Sequence, residues 1–285
     1  MEQKLKEQIA QRLRTYVAKY PSQNKAVGSL KGTSAGTVSN ILNGRWENIS
    51  EEMWKKVGDQ VGTVANEDGW QIVETVAYQE ISYALNDAQQ WKNVTWVVGE
   101  AGCGKTTTAR IYAEEHREVF YLQCSEDLYK GEFVREIARL VGIRGEGFTV
   151  RELWKAILDN LIQMEAPLLV FDEADKLTDQ VLYFFITLYN RLEGHCGIIL
   201  TATPYLRKRV ERGVQLSRKG YAEIYSRIGR KFVPLPLPGP EDIAAICTAN
   251  GLTESSTLSA IAGEAEGDLR RVKRSVWARL KGGAQ

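Results

Sequence analysis

Long apolar runs are missing from this 285-residue chain. No stretch approaches the ~18 consecutive apolar residues of a membrane span, and the first residues are charged from Glu2 onward. The expectation is a cytoplasmic protein with no signal peptide and no membrane contact. Histidine is nearly absent, at two residues, and the four cysteines (Cys103, Cys124, Cys196 and Cys247) include no C-x-x-C pair. That scatter fits neither a zinc centre nor a disulfide framework, and it suits a reducing compartment. An excess of charge is missing as well: 37 Lys and Arg face 36 Asp and Glu, a net of +1. Overall charge therefore excludes no partner.

The charge is unevenly placed. Residues 1–62 hold ten basic against six acidic residues, and Tyr205 to Lys231 holds nine against two (Glu211 and Glu223). Two basic regions in a neutral chain point to an anionic polymer, although a solvated face would carry charge too.

Gly99-Glu-Ala-Gly-Cys-Gly-Lys-Thr106 fits G-x-x-x-x-G-K-[ST], the phosphate-binding loop of nucleoside triphosphatases. Such a loop points backbone N–H groups at phosphate oxygens because glycine places no Cβ in the way. The expected ATP-binding residues are Gly99, Gly102, Cys103, Gly104, Lys105, Thr106 and Thr107. Lys105 would reach the β- and γ-phosphates and the Thr106 hydroxyl would hold Mg²⁺. Val94 to Val98 reads as the preceding strand and Thr107 to Glu115 as the following helix, whose dipole favours phosphate.

A second site follows in Ala166 to Asp175. Leu168 to Phe171 reads as a buried parallel strand delivering Asp172 and Glu173 to its carboxyl end, where open α/β sheets bind ligands. Asp172 suits a Mg²⁺ shell, and Glu173 suits the orientation and deprotonation of an attacking water. Acids at a solvated helix start offer a plainer reading of the same residues. Further strands are expected at Val119–Gln123, Gly197–Thr201 and Lys231–Leu235, with helices between them. Thr203 is either a hydrogen-bond donor to the γ-phosphate or water, or a turn former before Pro204. Trp70, Ile72 and Val73 form an adenine pocket or simply part of the core.

The expected organisation is an all-α helix-turn-helix domain at 1–62, a linker at 63–69, an α/β domain at 70–233 and a small helical lid at 234–285. Four of the seven prolines, at 234, 236, 238 and 240, stiffen the connector to the lid. In the first block, Leu5, Ile9, Leu13, Val17 and Tyr20 recur at helical spacing before Pro21. Gln23–Leu30 and Ala35–Leu42 follow as short helices, the latter capped by Ser34. Ser34, Thr37, Asn40 and Arg45 are then candidate DNA contacts, and a small helical protein-interaction module would read similarly.

Phosphate loop, Asp-Glu strand, polar-ended strand, Ser226-Arg227-Ile228 and the Gly267-Asp-Leu-Arg270 helix together resemble an AAA+ ATPase. Within that group the chain resembles the target-selection ATPases of DNA transposition, the branch of the phage Mu B protein with IstB and TnsC. The resemblance implies an AAA+ parallel sheet with a helical lid and hydrolysis of ATP with Mg²⁺. It implies homo-oligomers, as rings or filaments, on double-stranded DNA with little sequence preference, and a transposase as partner. It also implies that Arg227 is a finger acting on a neighbour's nucleotide, with Arg230 as substitute one helical turn away, and that Arg270 acts in cis. Lys130, Arg144, Thr149 and Arg151 lie on an excursion that faces DNA in that family. A replication initiator or helicase loader of the same superfamily, and a nucleotide-gated helix-turn-helix repressor, are the alternatives.

Overall fold

A computed structural model describes residues 3–61 and 69–282. The expected linker at 63–69 lies outside them, apart from Gly69. Four helices open the chain: α1 (Gln3–Ala18), α2 (Gln23–Ser29), α3 (Ala35–Leu42) and α4 (Glu51–Val61). They close over Ile9, Leu13, Val38, Ile41, Trp54 and Val57, all buried. Ser22 and Ser34 cap α2 and α3 by accepting from the Lys25 and Thr37 N–H groups, which satisfies donors that a helix start leaves open.

Strand and helix then alternate: α5 (Val76–Trp91), β1 (Val94–Val98), α6 (Lys105–Glu115), β2 (Val119–Gln123), α7 (Lys130–Leu140) and α8 (Val150–Ile162). After them come β3 (Leu168–Asp172), a single 3₁₀ turn at Ala174–Lys176, α9 (Asp179–Leu192), β4 (Gly197–Ala202), α10 (Pro204–Gln215), α11 (Tyr221–Arg227) and β5 (Val233–Pro234). The sheet order is β2-β3-β4-β1-β5, with every pairing parallel. Both faces are covered. Trp96, Leu169, Phe171 and Leu200 face one helical layer, while Val97, Leu168, Val170 and Ile199 face α5 and α6. Unbroken apolar runs are the sequence form of such doubly covered strands.

The expected strand at Lys231–Leu235 shrinks to two residues because Pro234 and Pro236 have no N–H to donate. Helix α6 starts at Lys105, two residues earlier than expected, since Gly104 in a left-handed conformation already turns the chain into the helix. Three helices end the chain: α12 (Pro240–Ala249), α13 (Ser255–Ala265) and α14 (Leu269–Gly282), around Ile243, Ile261, Val272 and Val276. No described helix is long and apolar enough to cross a membrane. All four cysteines are buried and unpaired.

The N-terminal helices dock on the sheet domain. The Tyr20 hydroxyl donates to the Leu140 carbonyl at 2.7 Å, Arg139 donates to the Ser29 carbonyl at 2.9 Å, and Lys31 pairs with Glu136 at 2.9 Å. The Lys19 ammonium donates to the Ala113 carbonyl near the end of α6; burial pushes its pKa down to about 8, against the pull of Glu114. Gly142 permits the close approach, because its φ is +78° and a Cβ there would strike the Lys25 carbonyl. Gly142→Ala should therefore loosen this docking. The left-handed backbone alone costs an alanine about 1–2 kcal/mol, so urea unfolding should show at least that loss and limited proteolysis should separate the two units sooner.

Candidate nucleotide-binding site

The phosphate loop connects β1 to α6. Gly102 (φ +80°) and Gly104 (φ +105°) adopt conformations that exclude most side chains, and α6 then presents its unpaired N–H groups to the loop. Lys105 is 9 % exposed, and its ammonium donates to the Gly99 carbonyl at 2.6 Å and the Glu100 carbonyl at 2.8 Å. The lysine thus folds back on the loop and is held by two of its backbone carbonyls. Cys103 is buried beneath it, with Sγ 3.7 Å from the ammonium, and Thr107 is exposed at the rim.

Asp172 ends β3 and is 0 % exposed. Its carboxylate takes the hydroxyl protons of Thr106 at 2.7 Å, of Tyr121 at 2.7 Å and of Thr201. No described residue forms an ion pair with it. Next to it, Glu173 has φ +55°, uncommon for a residue with a side chain and frequent at functional sites. Lys176 pairs with Glu173 at 2.6 Å and Gln123 donates to it at 3.2 Å. Burial pushes its pKa up, but these two hydrogen bonds together with the charges of Lys176 and Arg270 outweigh that and hold the carboxyl below its ordinary range. The acid stays ionised, as a proton acceptor must be.

Lys105, Thr106, Glu173 and Lys176 line a cleft of about 630 Å³ between sheet and lid, and the buried Asp172 meets that lining through its bond to Thr106. Thr203 lines it too: it caps α10 through its backbone and donates its N–H to Asp175 at 3.0 Å. Asp175 is thereby engaged as a cap. Trp70, Ile72 and Val73 form the far wall, while Trp70 and Val73 also pack on the lid core. Lys273 lies over the rings of Trp70 and Trp277, 5.4 and 4.5 Å from their centroids. The lid meets the loop directly, for the Leu269 N–H donates to the Gly102 carbonyl at 3.0 Å. Arg270 lines the cleft, and its charge favours the ionised form of Glu173.

Arg227 lies elsewhere. It donates to Asn190 Oδ1 at 2.9 Å and the Glu223 carbonyl at 3.1 Å, and its guanidinium stacks 5.8 Å from the Tyr189 ring centroid. The expected place of Arg230 needs correction: α11 ends at Arg227, and Arg230 sits beyond it in a left-handed turn (φ +58°), not one helical turn along. Glycine at 229 and the reversal after it break the helix there.

The candidate DNA contacts are spread over other surfaces. Ser34 and Thr37 bond to each other at 2.9 Å, Asn40 accepts the Arg45 N–H at 2.8 Å through its carbonyl, and the Arg45 side chain is exposed. Lys130 opens α7 with its ammonium 5.0 Å from the Phe184 ring centroid, and Thr149 is spent on a capping box with Glu152. Arg144 lies beside Gly28 of α2, and Arg151 is exposed. Within the basic Tyr205 to Lys231 segment, Arg207, Arg209 and Arg227 pair with Glu211, Asp179 and Glu223. Lys208, Arg212, Arg218, Lys219, Arg230 and Lys231 remain exposed.

Sequence reasoning missed Tyr121, Gln123, Lys176 and Thr201. Parallel register was the available signal for one of them: Gln123 pairs with Asp172 across β2 and β3, so polar strand ends converge. Lys105→Ala removes the cradle's side-chain cation and charge-assisted bonds worth roughly 1.5–3 kcal/mol each. A fluorescent-ATP titration should show binding lost or very weak.

Residues 89–210 match the AAA domain family. The ATP-dependent target DNA activator B of Escherichia phage D108 is 25% identical over 275 residues, 93% of this chain and 85% of that protein. The protein of the same description from Escherichia phage Mu is also 25% identical over 275 residues, with the same shares covered. Among solved structures, the Aeropyrum pernix ORC1 protein in complex with DNA superposes with a TM-score of 0.56 at 17% identity. That match covers 77% of this chain and 64% of the ORC1 chain, so it establishes shared fold and spans less than two thirds of the other protein. The chain thus matches the AAA domain family over residues 89–210, shares its fold with the ORC1 protein, and is similar over most of its length to the target DNA activators B of these two phages.

Proposed function

We propose that this protein is an ATP-dependent DNA-binding ATPase that assembles on DNA, selects target DNA and activates a transposase. The observation that carries the reading is the convergence of Lys105, Thr106 and Glu173 on one cleft, with the buried Asp172 bonded to Thr106 at 2.7 Å, in a chain similar over 93% of its length to ATP-dependent target DNA activators.

The residues fit a magnesium ion with its nucleotide. Asp172 is buried, has only neutral hydroxyls as side-chain donors among the described residues and lies 2.7 Å from Thr106, the donor set of a hard cation held through one or two side chains and water. Thr106 and Asp172 would hold the ion, which would neutralise charge on the phosphates. Lys105 and the loop N–H groups bind the β- and γ-phosphates, Glu173 leaves Lys176 and Gln123 to take the proton of the attacking water, and Thr203 orients that water or the γ-phosphate. Arg270 supplies a cation in cis. Arg227, at the end of α11 and held against α9 by Asn190 and Tyr189, would serve the nucleotide of a neighbouring subunit in a ring or filament.

ATP at the subunit interface would stabilise the assembly and hydrolysis would release it. The exposed cations of the Tyr205 to Lys231 segment support phosphate contacts, which are insensitive to base sequence.

Glu173→Gln should bind ATP and hydrolyse it at least ~10²-fold more slowly, with longer-lived complexes on DNA. Mixing it with Arg227→Ala should restore part of the ATPase rate, because some interfaces then combine both working groups; steady-state phosphate release across mixing ratios measures this. Binding to double-stranded DNA should require ATP, tolerate any sequence and weaken with salt at a log–log slope of about −0.9 per phosphate neutralised. Deleting residues 1–62 should weaken it and leave ATP-dependent assembly. Complete loss of DNA binding with intact ATPase activity would favour a nucleotide-gated repressor instead.

A further inference from the structure

Among the described residues Tyr121 is the one aromatic whose hydroxyl bonds Asp172, and its neighbours on β2 explain why it can. Phe120 and Leu122 face the core, whereas Tyr121 points to the opposite face of the sheet, and its register beside Val170 is set by the β2–β3 pairing. The Arg110 guanidinium lies 5.5 Å from the ring centroid and donates to Gln123 Oε1 at 2.6 Å, so the ring is held from above and along the strand.

The distribution of donors over the carboxylate is uneven. Oδ2 accepts from both Thr106 and Tyr121, each at 2.7 Å, while Oδ1 accepts from Thr201. A carboxylate oxygen offers about two lone-pair sites. Both sites of Oδ2 are therefore filled by donors, and one site of Oδ1 stays open to a further donor such as a water on a cation. Thr106 spends its proton on Oδ2, which turns its own lone pairs outward. Without the phenol, the carboxylate is anchored to its neighbours by two rotatable threonine hydroxyls. With it, the group is pinned by a ring whose position the strand dictates.

We propose that Tyr121 is a positioning residue for magnesium: its phenol fills Oδ2 of Asp172 and so holds Oδ1 and the Thr106 hydroxyl in the orientation that receives the ion and its water. This inference rests on the proposed ATP and magnesium site. Partners of this kind, which touch a ligand-bearing side chain rather than the ion, typically change metal affinity 10–100-fold when removed.

The test is Tyr121→Phe in the full-length protein, which deletes one oxygen and keeps the ring. Fluorescent-ATP binding is titrated in EDTA and then as a function of Mg²⁺, with far-UV circular dichroism and thermal melting as checks on the fold. The expected result is unchanged ATP affinity in EDTA and a Mg²⁺ half-saturation point raised about 10–100-fold. Thr201→Val, which acts on Oδ1, should move that point less. Tyr121→Met fills the space flexibly without a donor and gives the same reading should the phenylalanine variant fold poorly. An unchanged Mg²⁺ half-saturation, or an equal loss of ATP affinity with and without the ion, overturns the proposal. Absence of Mg²⁺-enhanced ATP binding in the unaltered protein would instead overturn the reading of the cleft on which it rests.

Discussion

The buried carboxylate of Asp172 is the point on which the central architecture depends. Three segments distant in sequence, α6, β2 and β4, each contribute one hydroxyl to it. Removing a charge from water is costly unless hydrogen bonds replace its hydration, so a wholly buried aspartate is tolerated only where the chain delivers such donors. The parallel sheet does so, because its strand ends lie side by side at one edge. The same carboxylate ties the phosphate loop to the sheet through Thr106, and any change in the loop is felt at the acid pair.

Around that centre, the lid and the segment before α5 behave as one clamp. Asn250 accepts the Gln71 N–H at 2.7 Å and donates to its carbonyl at 3.0 Å, while Asp242 accepts the Val76 N–H at 3.1 Å. On the opposite side of the cleft, Leu269 bonds to the phosphate loop at Gly102. The lid is therefore joined both to the wall holding Trp70 and to the glycine-rich turn at Gly102. The N-terminal helices meet the other end of α6, where Lys19 reaches the Ala113 carbonyl. Helix α6 thus has the phosphate loop at its start and the N-terminal unit at its end, a short rigid path between the two.

Glu173 shows how local strain and local charge combine. Its left-handed backbone aims the side chain at Gln123 and Lys176, and those partners keep it ionised despite partial burial. An ionised carboxylate held by a breakable ion pair is what the proposed proton-accepting role of Glu173 would need.

Much of this was legible in the sequence. The glycine pattern ending in Lys105-Thr106, the apolar run before Asp172 and the Ser34 cap are local signals, decided by φ/ψ preferences and by burial over a few residues. Strands β1 and β2 and helix α3 fall where periodicity placed them, for the same reason. Tertiary structure alone decided what lies across space. Only the β2–β3 register brings the Tyr121 hydroxyl to Asp172, and only docking buries Lys19 against α6. Likewise Arg209 belongs to a basic run in sequence, yet the fold pairs it with Asp179 and withdraws it from the exposed surface. A sequence records which side chains a backbone carries and what each short segment prefers; which of them meet is fixed only when strands pair and helices pack, because those contacts join residues with no relation along the chain.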